Sequence, residues 1–508
     1  IRLGLWGAAL LSVGAFLVLA VVRLFYPFEL EWLEGAILQH VERLAAGTAI
    51  YVPPSLDFTA FSYPPLYFLV AAATSRVVGG GFPALRLVSL LASLGSLALV
   101  FSIVRRSGGR TLPAAVAAGL FAATYGISGF WFDLARVDAL ALFLLLFGVR
   151  LLWRPGGRIA AVAAGLAFAA SFLTKQTAIV CVVPIVIALA AARRRQARWL
   201  TATLLVTLVV ATVALDSLSH GWFSYYVFRV RGGIVWGSIH WAGLISFWTR
   251  DLAAPLGIAM ALGLLYVLQR LPRWRGEVEG VQLALLGGMI LGSWACRLEP
   301  CVFVNGNIPA HAALAILAGL GLAEAPRPSA AGAPRGQVLA ATALGFAALL
   351  QFAGLGYQPA DALPRPGDRR AGEEFVARLR ATGARVFVPQ HPYLLERAGL
   401  PTHAHAGCMD DVVRGDASGW GRSLTAAMDR AVRERRYAVA VLDNGWLRTE
   451  VERGYVLAGH VFADPRRFRT VSGTRVGPSA VYVPRPPGPA PAAVATGPGP
   501  AGRLIGCE

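Results

Sequence analysis

Apolar runs at residues 5–22, 87–104, 112–130, 139–152, 159–173, 178–192, 200–215, 252–268, 281–295, 308–323 and 338–355 dominate the first two-thirds of the chain. Most fall a little short of the ~20 apolar residues that cross a bilayer core, a difference that flanking residues can supply. The pattern predicts a polytopic α-helical membrane protein with about eleven transmembrane helices.

Polar residues sort by the gap they occupy. Arg105, Arg106 and Arg110 share one gap. Arg150, Arg154 and Arg158, then Arg193, Arg194, Arg195 and Arg198, then Arg270, Arg273 and Arg275, then Arg327 and Arg335 recur in every second gap after it. The positive-inside rule puts these clusters on the cytoplasmic face. The N-terminus is then cytoplasmic and residues 356–508 are extracytoplasmic. The intervening gaps differ in kind: they hold Glu29, Glu31, Glu34, Glu42, Asp57, Asp133, Asp138, Lys175, Asp216, Arg229, Arg231, Arg297 and Glu299. Plain basic inner gaps and acid-bearing outer gaps point to work done outside.

The first outer gap is too long for a hairpin. Ile37, Leu38, Val41, Leu44 and Ala45 recur at helical spacing before Gly47, and Tyr63-Pro64-Pro65-Leu66 opens a second helix of roughly 15 residues. Counting the second as a span would invert every later gap. Both are therefore expected as amphipathic helices lying in the outer interface. Beyond the spans, residues 371–485 read as a small α/β domain. Strands are expected at 386–388, 439–442 and 481–483, and helices at 373–380 and 423–433. The expected division is 1–356 transmembrane, 357–485 extracytoplasmic α/β, and 486–508 a Pro/Ala/Gly-rich disordered tail. Residues 325–335 form a cytoplasmic linker, and the first span, without a clear small-residue cleavage site, reads as a retained anchor.

Composition agrees. Of 508 residues 56% are hydrophobic and 15% charged, and mean hydropathy is +0.57, which excludes an ordinary soluble enzyme. The net charge of +19 resembles that of nucleic-acid binders. Much of it, however, is arginine at the inner membrane surface, where anionic headgroups attract it, and no aromatic-basic repeats accompany it; no nucleic acid is expected. Five cysteines are too few for a disulfide framework, although Cys296 and Cys301 could pair in an oxidising compartment. His391, His403 and His405 fit loop polarity better than metal ligation, and no Cys/His spacing resembles a zinc site.

Candidate chemistry lies in the outer gaps. In Glu31-Trp32-Leu33-Glu34-Gly35 the two carboxylates, three apart, share a helix face. Glu34 either favours a helix N-terminus or one of the pair is a general base at the membrane surface. All of the 47 basic residues except Lys175 are arginine. A snorkelling cation could equally be arginine, whereas a compact ammonium suits a phosphate oxygen. Arg136 and Asp138 precede a span, with Asp138 equally suited to an N-cap. Asn307 and His311 share a face at an outer helix start, where a histidine is costly unless it lines a cavity. Residues 225–250, aromatic-rich with Arg229, Arg231 and His240, are long enough for a mobile cover.

Together these motifs — the acidic pair before Gly35, the Tyr63-Pro64-Pro65-Leu66-Tyr67 run, Ala135-Arg136-Val137-Asp138 at a span start and Leu173-Thr174-Lys175-Gln176-Thr177 at a span end — resemble the GT-C superfamily of polyprenol-linked glycosyltransferases. The layout is similar to bacterial relatives of protein O-mannosyltransferases and the lipid A aminoarabinose transferase, over about residues 1–325. The resemblance implies a catalytic acid in the first outer loop, with Glu34 matching the base and Glu31 in support. It implies a lysine near the lipid phosphate, here Lys175, aided by Arg136, Arg229 or Arg231. Asp138, Tyr63, Gln176, Asn307, His311 and His240 are then substrate-binding candidates. The implied reaction moves a sugar from a polyprenyl-phosphate donor, with inversion, to a glycan, lipid or protein acceptor outside a bacterial cytoplasmic membrane. A phosphate leaving group needs cations more than a proton donor, and one carboxylate suffices to accept the hydroxyl proton, whereas a glycosidase needs two. No cofactor is predicted, and a divalent-metal requirement is left open. A lipid transporter or flippase would predict inverted repeats and broken spans, neither of which is visible. A non-catalytic assembly subunit would leave the acidic loop and Lys175 unexplained.

Overall fold

The computed structural model describes residues 1–108, 110–237, 239–270, 277–299, 302–326, 334–443, 445 and 447–486. Each apolar run contains a helix, though the run at 112–130 is only partly helical. The first nine helices are α1 (Arg2–Leu24), α2 (Glu34–Ala45), α3 (Leu66–Val78), α4 (Phe82–Gly108), α5 (Thr111–Ala123), α6 (Asp138–Leu152), α7 (Arg158–Thr174), α8 (Ala178–Ala192) and α9 (Arg194–Ser219). The helices Ala254–Arg270, Glu277–Cys296, Ile308–Ala323 and Arg335–Gly354 complete the bundle. Among the described residues, seven helical stretches are long and apolar enough to cross a membrane, and α5, α7 and α8 are shorter apolar helices. Leu205, Val206, Val209, Val210 and Val213 on α9 are exposed, as a lipid-facing surface requires. The Ile308–Ala323 helix runs through the centre, buried along nearly its whole length. Small residues allow the close approaches there: a Cβ on Gly319 would lie 2.6 Å from the Ala117 Cβ, the close packing that replaces hydrophobic drive between helices in lipid.

Three details differ from expectation. The run at 112–130 is helical only to Ala123. Gly129 and Phe130 then adopt positive φ (66° and 58°), and the following buried turns carry Asp133 and Arg136 inward. Burial of these polar groups depends on partners: Arg23 meets Asp133 at 2.9 Å and Tyr125 donates to Asp133 at 2.7 Å. Second, α3 leaves Leu69, Val77 and Val78 exposed as an interface helix would, but α2 is buried from Glu34 to Val41, packed between the C-terminal domain, which Gln39 meets at Thr402 and His403, and the aromatic side chains of Phe58 and Phe68 around His40. Third, the stretch at 225–250 is helical, with segments Tyr225–Val230, Arg231–Gly237 and Trp241–Ser246. Its backbone touches that of the C-terminal domain where Gly233 meets Gly415.

The C-terminal domain holds one four-stranded sheet: β1 (Val386–Phe387), β2 (Val439–Leu442), β3 (Tyr455–His460) and β4 (Ala480–Pro484), in the order β1-β2-β4-β3. β1 and β2 are parallel, with Val386 opposite Val439; β2 and β4, and β3 and β4, are antiparallel. The two expected helices are longer than their patterns, Asp368–Thr382 and Trp420–Arg433. β3 and the Ala406–Gly415 helix had no clear pattern, since β3 is half exposed and alternates weakly. His391 ties this domain to the first outer loop. Its Nδ1 lies 2.5 Å from Glu29 Oε2 and its Nε2 2.7 Å from Asp443 Oδ2. Burial lowers the basicity of His391, but the two carboxylates outweigh it and push the imidazole up to about 10. Cys301, residues 327–333 of the linker, and the tail from residue 487 lie outside the described residues.

Candidate active site

A cavity of about 880 Å³ opens where the helix ends meet the C-terminal domain. Its wall takes Trp32 and Tyr63 from the first outer gap, Arg136 from the third and Lys175 from the fifth, then Arg231 and His240, Glu299 and Asn305, and finally Gln390 and Asp410. All of these come from the acid-bearing set of gaps or from the C-terminal domain. Alternate gaps thus converge on one end of the bundle, as spans of alternating direction require.

Lys175 caps α7, at the sharp turn into α8. Its Nζ lies 2.6 Å from Asp138 Oδ1, and Asp138, at the start of α6, also accepts from Trp131 Nε1 at 2.9 Å and Asn305 Nδ2 at 3.0 Å. Burial works against the Lys175 charge, but Asp138 outweighs it and raises the ammonium pKa. Lys175 also lines a smaller recess of about 40 Å³ with Leu142, Leu145 and Cys181, so the ammonium stands where a polar cavity meets an apolar slot between helices.

Arg136 is 3% exposed. Its Nη1 lies 3.4 Å from Glu31 Oε2, an ion-pair contact, and among the described residues neither Nε nor Nη1 meets a hydrogen-bond acceptor. Glu31 accepts from Leu33 N at 3.2 Å through Oε2, and its Oε1 is unmet among the described residues. Burial pushes the Glu31 carboxyl up to about 7; Arg136 pulls it down and Glu34 adds to the rise. Gly473, which lines the cavity, separates Glu31 from it: a Cβ there would stand 3.2 Å from Glu31 Cγ.

Glu34 is in a different situation. Arg86 donates to both of its oxygens, at 3.0 and 2.7 Å, and the backbone N–H groups of Ala135 and Leu30 donate at 2.7 Å each. Burial pushes this carboxyl up, but Arg86 and the two amides prevail and hold it below the ordinary carboxylate range. With its lone pairs filled, it is a poor proton acceptor.

Of the remaining candidates, Tyr63, Arg231 and His240 lie on the cavity wall, with Arg231 paired to Glu299. Arg229 instead projects outward, 65% exposed, toward Asp416 at 3.2 Å. Gln176 donates to the Ser62 carbonyl at 2.6 Å. Asn307 and His311 are buried within the bundle, His311 Nδ1 lying 3.0 Å from Ser128 Oγ. None of these four, nor Glu34, is among the lining residues. Among the described residues, no three His, Cys, Asp or Glu side chains converge as a metal site would need. Gln390, Asp410, Asp411, Arg414 and Gly473 on the wall were missed by sequence reasoning. So was Arg86, a charge at the outer end of an apolar helix whose other arginines lie in its last turn, which is itself a signal of function or pairing.

The model of the dolichyl-phosphate-mannose-protein mannosyltransferase family matches residues 62–220. No curated protein sequence matches the chain. The fold is similar to the crystal structure of ArnT from Cupriavidus metallidurans bound to undecaprenyl phosphate, at 15% identity and TM-score 0.59, over 94% of this chain and 98% of that one. The apo form of the same protein gives 15% identity and TM-score 0.58 over 94% and 97%. The Archaeoglobus fulgidus oligosaccharyltransferase in complex with Zn and sulfate gives 12% and 0.52 over 90% and 72%. The chain is a multi-pass helical membrane protein that shares the fold of the ArnT structure.

Proposed function

We propose that this chain transfers a sugar from a polyprenyl-phosphate donor to an acceptor hydroxyl, with inversion, on the extracytoplasmic face of a bacterial cytoplasmic membrane. One observation carries the reading. Lys175 and Arg136, the second with unmet donors, share one cavity with a proton-accepting carboxyl close behind its wall. The ArnT structure of the same fold is bound to undecaprenyl phosphate, which supports a lipid-borne donor. The donor phosphate lies against Lys175 and Arg136, which share the cavity wall.

The chemistry is a single displacement. The acceptor oxygen forms its bond to the anomeric carbon as the bond from that carbon to the phosphate oxygen breaks. The hydroxyl proton goes to Glu31, and the electron pair leaves on the phosphate, where the ammonium and guanidinium offset the growing charge. Glu31 takes the part of base because its carboxyl has an open oxygen and a pKa near neutrality. Glu34 positions the loop and Arg86.

Mass spectrometry of lipids from cells lacking the chain tests the donor: a polyprenyl-phosphate-linked sugar should accumulate, and an unchanged lipid-linked pool overturns the reading. A reporter active only in the cytoplasm, fused after Tyr357, should be silent. A bright signal would put the site on the other face.

A further inference from the structure

Part of the cavity wall is built by the C-terminal domain and has unmet polar groups of its own. Gln390, just beyond β1, is 2% exposed, and neither its Nε2 nor its Oε1 has a hydrogen-bond partner among the described residues. Asp410, in the Ala406–Gly415 helix, is 1% exposed. Among the described residues its Oδ1 is likewise unmet, and Oδ2 has a long 3.5 Å contact from Arg414. Burial pushes the Asp410 carboxyl up to about 7. Trp32 shares this wall. It is held to the domain by His405, whose Nε2 lies 3.1 Å from the Trp32 carbonyl and whose ring centroid is 5.4 Å from the indole. Gly407 permits the approach, since a Cβ there would stand 2.7 Å from Leu33 and 3.3 Å from Trp32.

A buried polar group without a partner is costly to leave unmet, so three such atoms on one wall call for a ligand that meets them. The amide asks for one acceptor and one donor, and the carboxyl oxygen for a group that can donate or accept as its proton comes and goes. A hydroxyl does both. Adjacent hydroxyls on one ring satisfy all three atoms while the ring's C–H face lies on the indole, a large rigid apolar surface. A phosphate would leave Gln390 Oε1 and an ionised Asp410 facing negative charge.

We infer that Trp32, Gln390 and Asp410 form a subsite for a sugar ring of the acceptor. Calling it the acceptor's rests on the transferase reading above. The wall belongs to the C-terminal domain and its contact loop, whereas the Lys175–Asp138 pair stands on the ends of membrane helices.

Saturation-transfer NMR with a panel of methyl hexosides and pentosides, on the full chain in detergent, tests this. At least one glycoside should bind. Gln390→Leu should weaken it roughly 10-fold, the loss of one or two hydrogen bonds, with undecaprenyl phosphate affinity unchanged. Because the Gln390 amide has no partner among the described residues, the leucine leaves none of their polar groups unpaired and the fold persists. Lys175→Met should weaken the lipid phosphate and leave the glycoside alone. If undecaprenyl phosphate binds but no glycoside does, or if glycoside binding survives Gln390→Leu, the subsite is overturned while the donor reading stands. Glycoside binding without lipid-phosphate binding overturns the donor reading instead and keeps the sugar site. Displacement of the glycoside by a polyprenyl-phosphate sugar, but not by the bare lipid phosphate, assigns the subsite to the donor's sugar. A serine/threonine peptide bound in place of any glycoside, and lost in Gln390→Leu, overturns the sugar chemistry.

Discussion

Arg86 and Glu34 form a fully buried two-point ion pair, Nε to Oε1 at 3.0 Å and Nη2 to Oε2 at 2.7 Å. The same guanidinium donates to the carbonyls of Tyr26 and Phe28 at 2.6 Å each. One arginine at the start of α4 thereby fixes the course of the loop that carries both acids.

Glu34→Gln should therefore act on stability. It leaves a buried guanidinium without its counter-charge, a class of change that costs ~3–5 kcal/mol. Thermal unfolding in detergent should shift well below wild type. A variant that unfolds at the wild-type temperature yet transfers no sugar would return the base to Glu34.

Glu31→Gln should lower the unfolding temperature less than Glu34→Gln, because the Arg136 contact is a single one at 3.4 Å whereas Arg86 holds Glu34 at two points, and it should abolish transfer. With its carboxyl near 7, Glu31 accepts a proton only when ionised, so wild-type transfer should fall as pH drops through 7. Arg136 pulls that value down, so Arg136→Gln should move the acidic limb to higher pH besides lowering the rate. Superimposable limbs in wild type and Arg136→Gln would separate the titration from Glu31.

For Lys175, affinity for the lipid phosphate is the direct measure. A hydrogen bond to a charged group contributes roughly 1.5–3 kcal/mol, so Lys175→Met should weaken undecaprenyl phosphate binding by about 10- to 100-fold. Lys175→Arg should be only partly tolerated, because a planar fork fits a point-charge site beside Asp138 poorly. Equal affinity in all three proteins returns Lys175 to the role of a snorkelling cation.

How much of this was legible in the sequence depends on separation along the chain. The helices follow from local apolar runs, and the sorting of charged residues between alternate gaps identifies which loops meet. Lys175 stood out because every other basic residue is arginine, and it lies on the cavity wall. Spacing could not distinguish Glu31 from Glu34, because the difference between them is imposed by Arg86, 52 positions away, and by Arg136. The end of α5 was misjudged because apolar residues continue to Phe130 although the backbone reverses at Gly129. Gln390 and Asp410 reach the first loop only through the tertiary fold, about 360 residues on, in a domain whose sequence carries no membrane signal.

Gly473 offers the last test, because it controls access to the proposed base. Its φ is +64°, a region where a side chain is strained. A Cβ there would stand 3.2 Å from Glu31 Cγ and 3.4 Å from both Glu31 Oε1 and Trp131. The turn around it is anchored independently, Val471 N and Ser472 N both donating to the Leu30 carbonyl at 2.9 Å. Added bulk at Gly473 is thus pressed onto the carboxyl instead of swinging away. Gly473→Val should lower kcat strongly while undecaprenyl phosphate affinity, set at Lys175 and Arg136, changes little. Gly473→Ala should fall between the two, since it carries the same backbone strain with less bulk. Backbone strain alone predicts parallel losses of stability and rate in Ala and Val. Screening of Glu31 predicts that rate falls further than stability, and more steeply from Ala to Val. Steady-state transfer and thermal unfolding on the same preparations separate the two, and wild-type kcat in Gly473→Val would remove Glu31 from the reaction path.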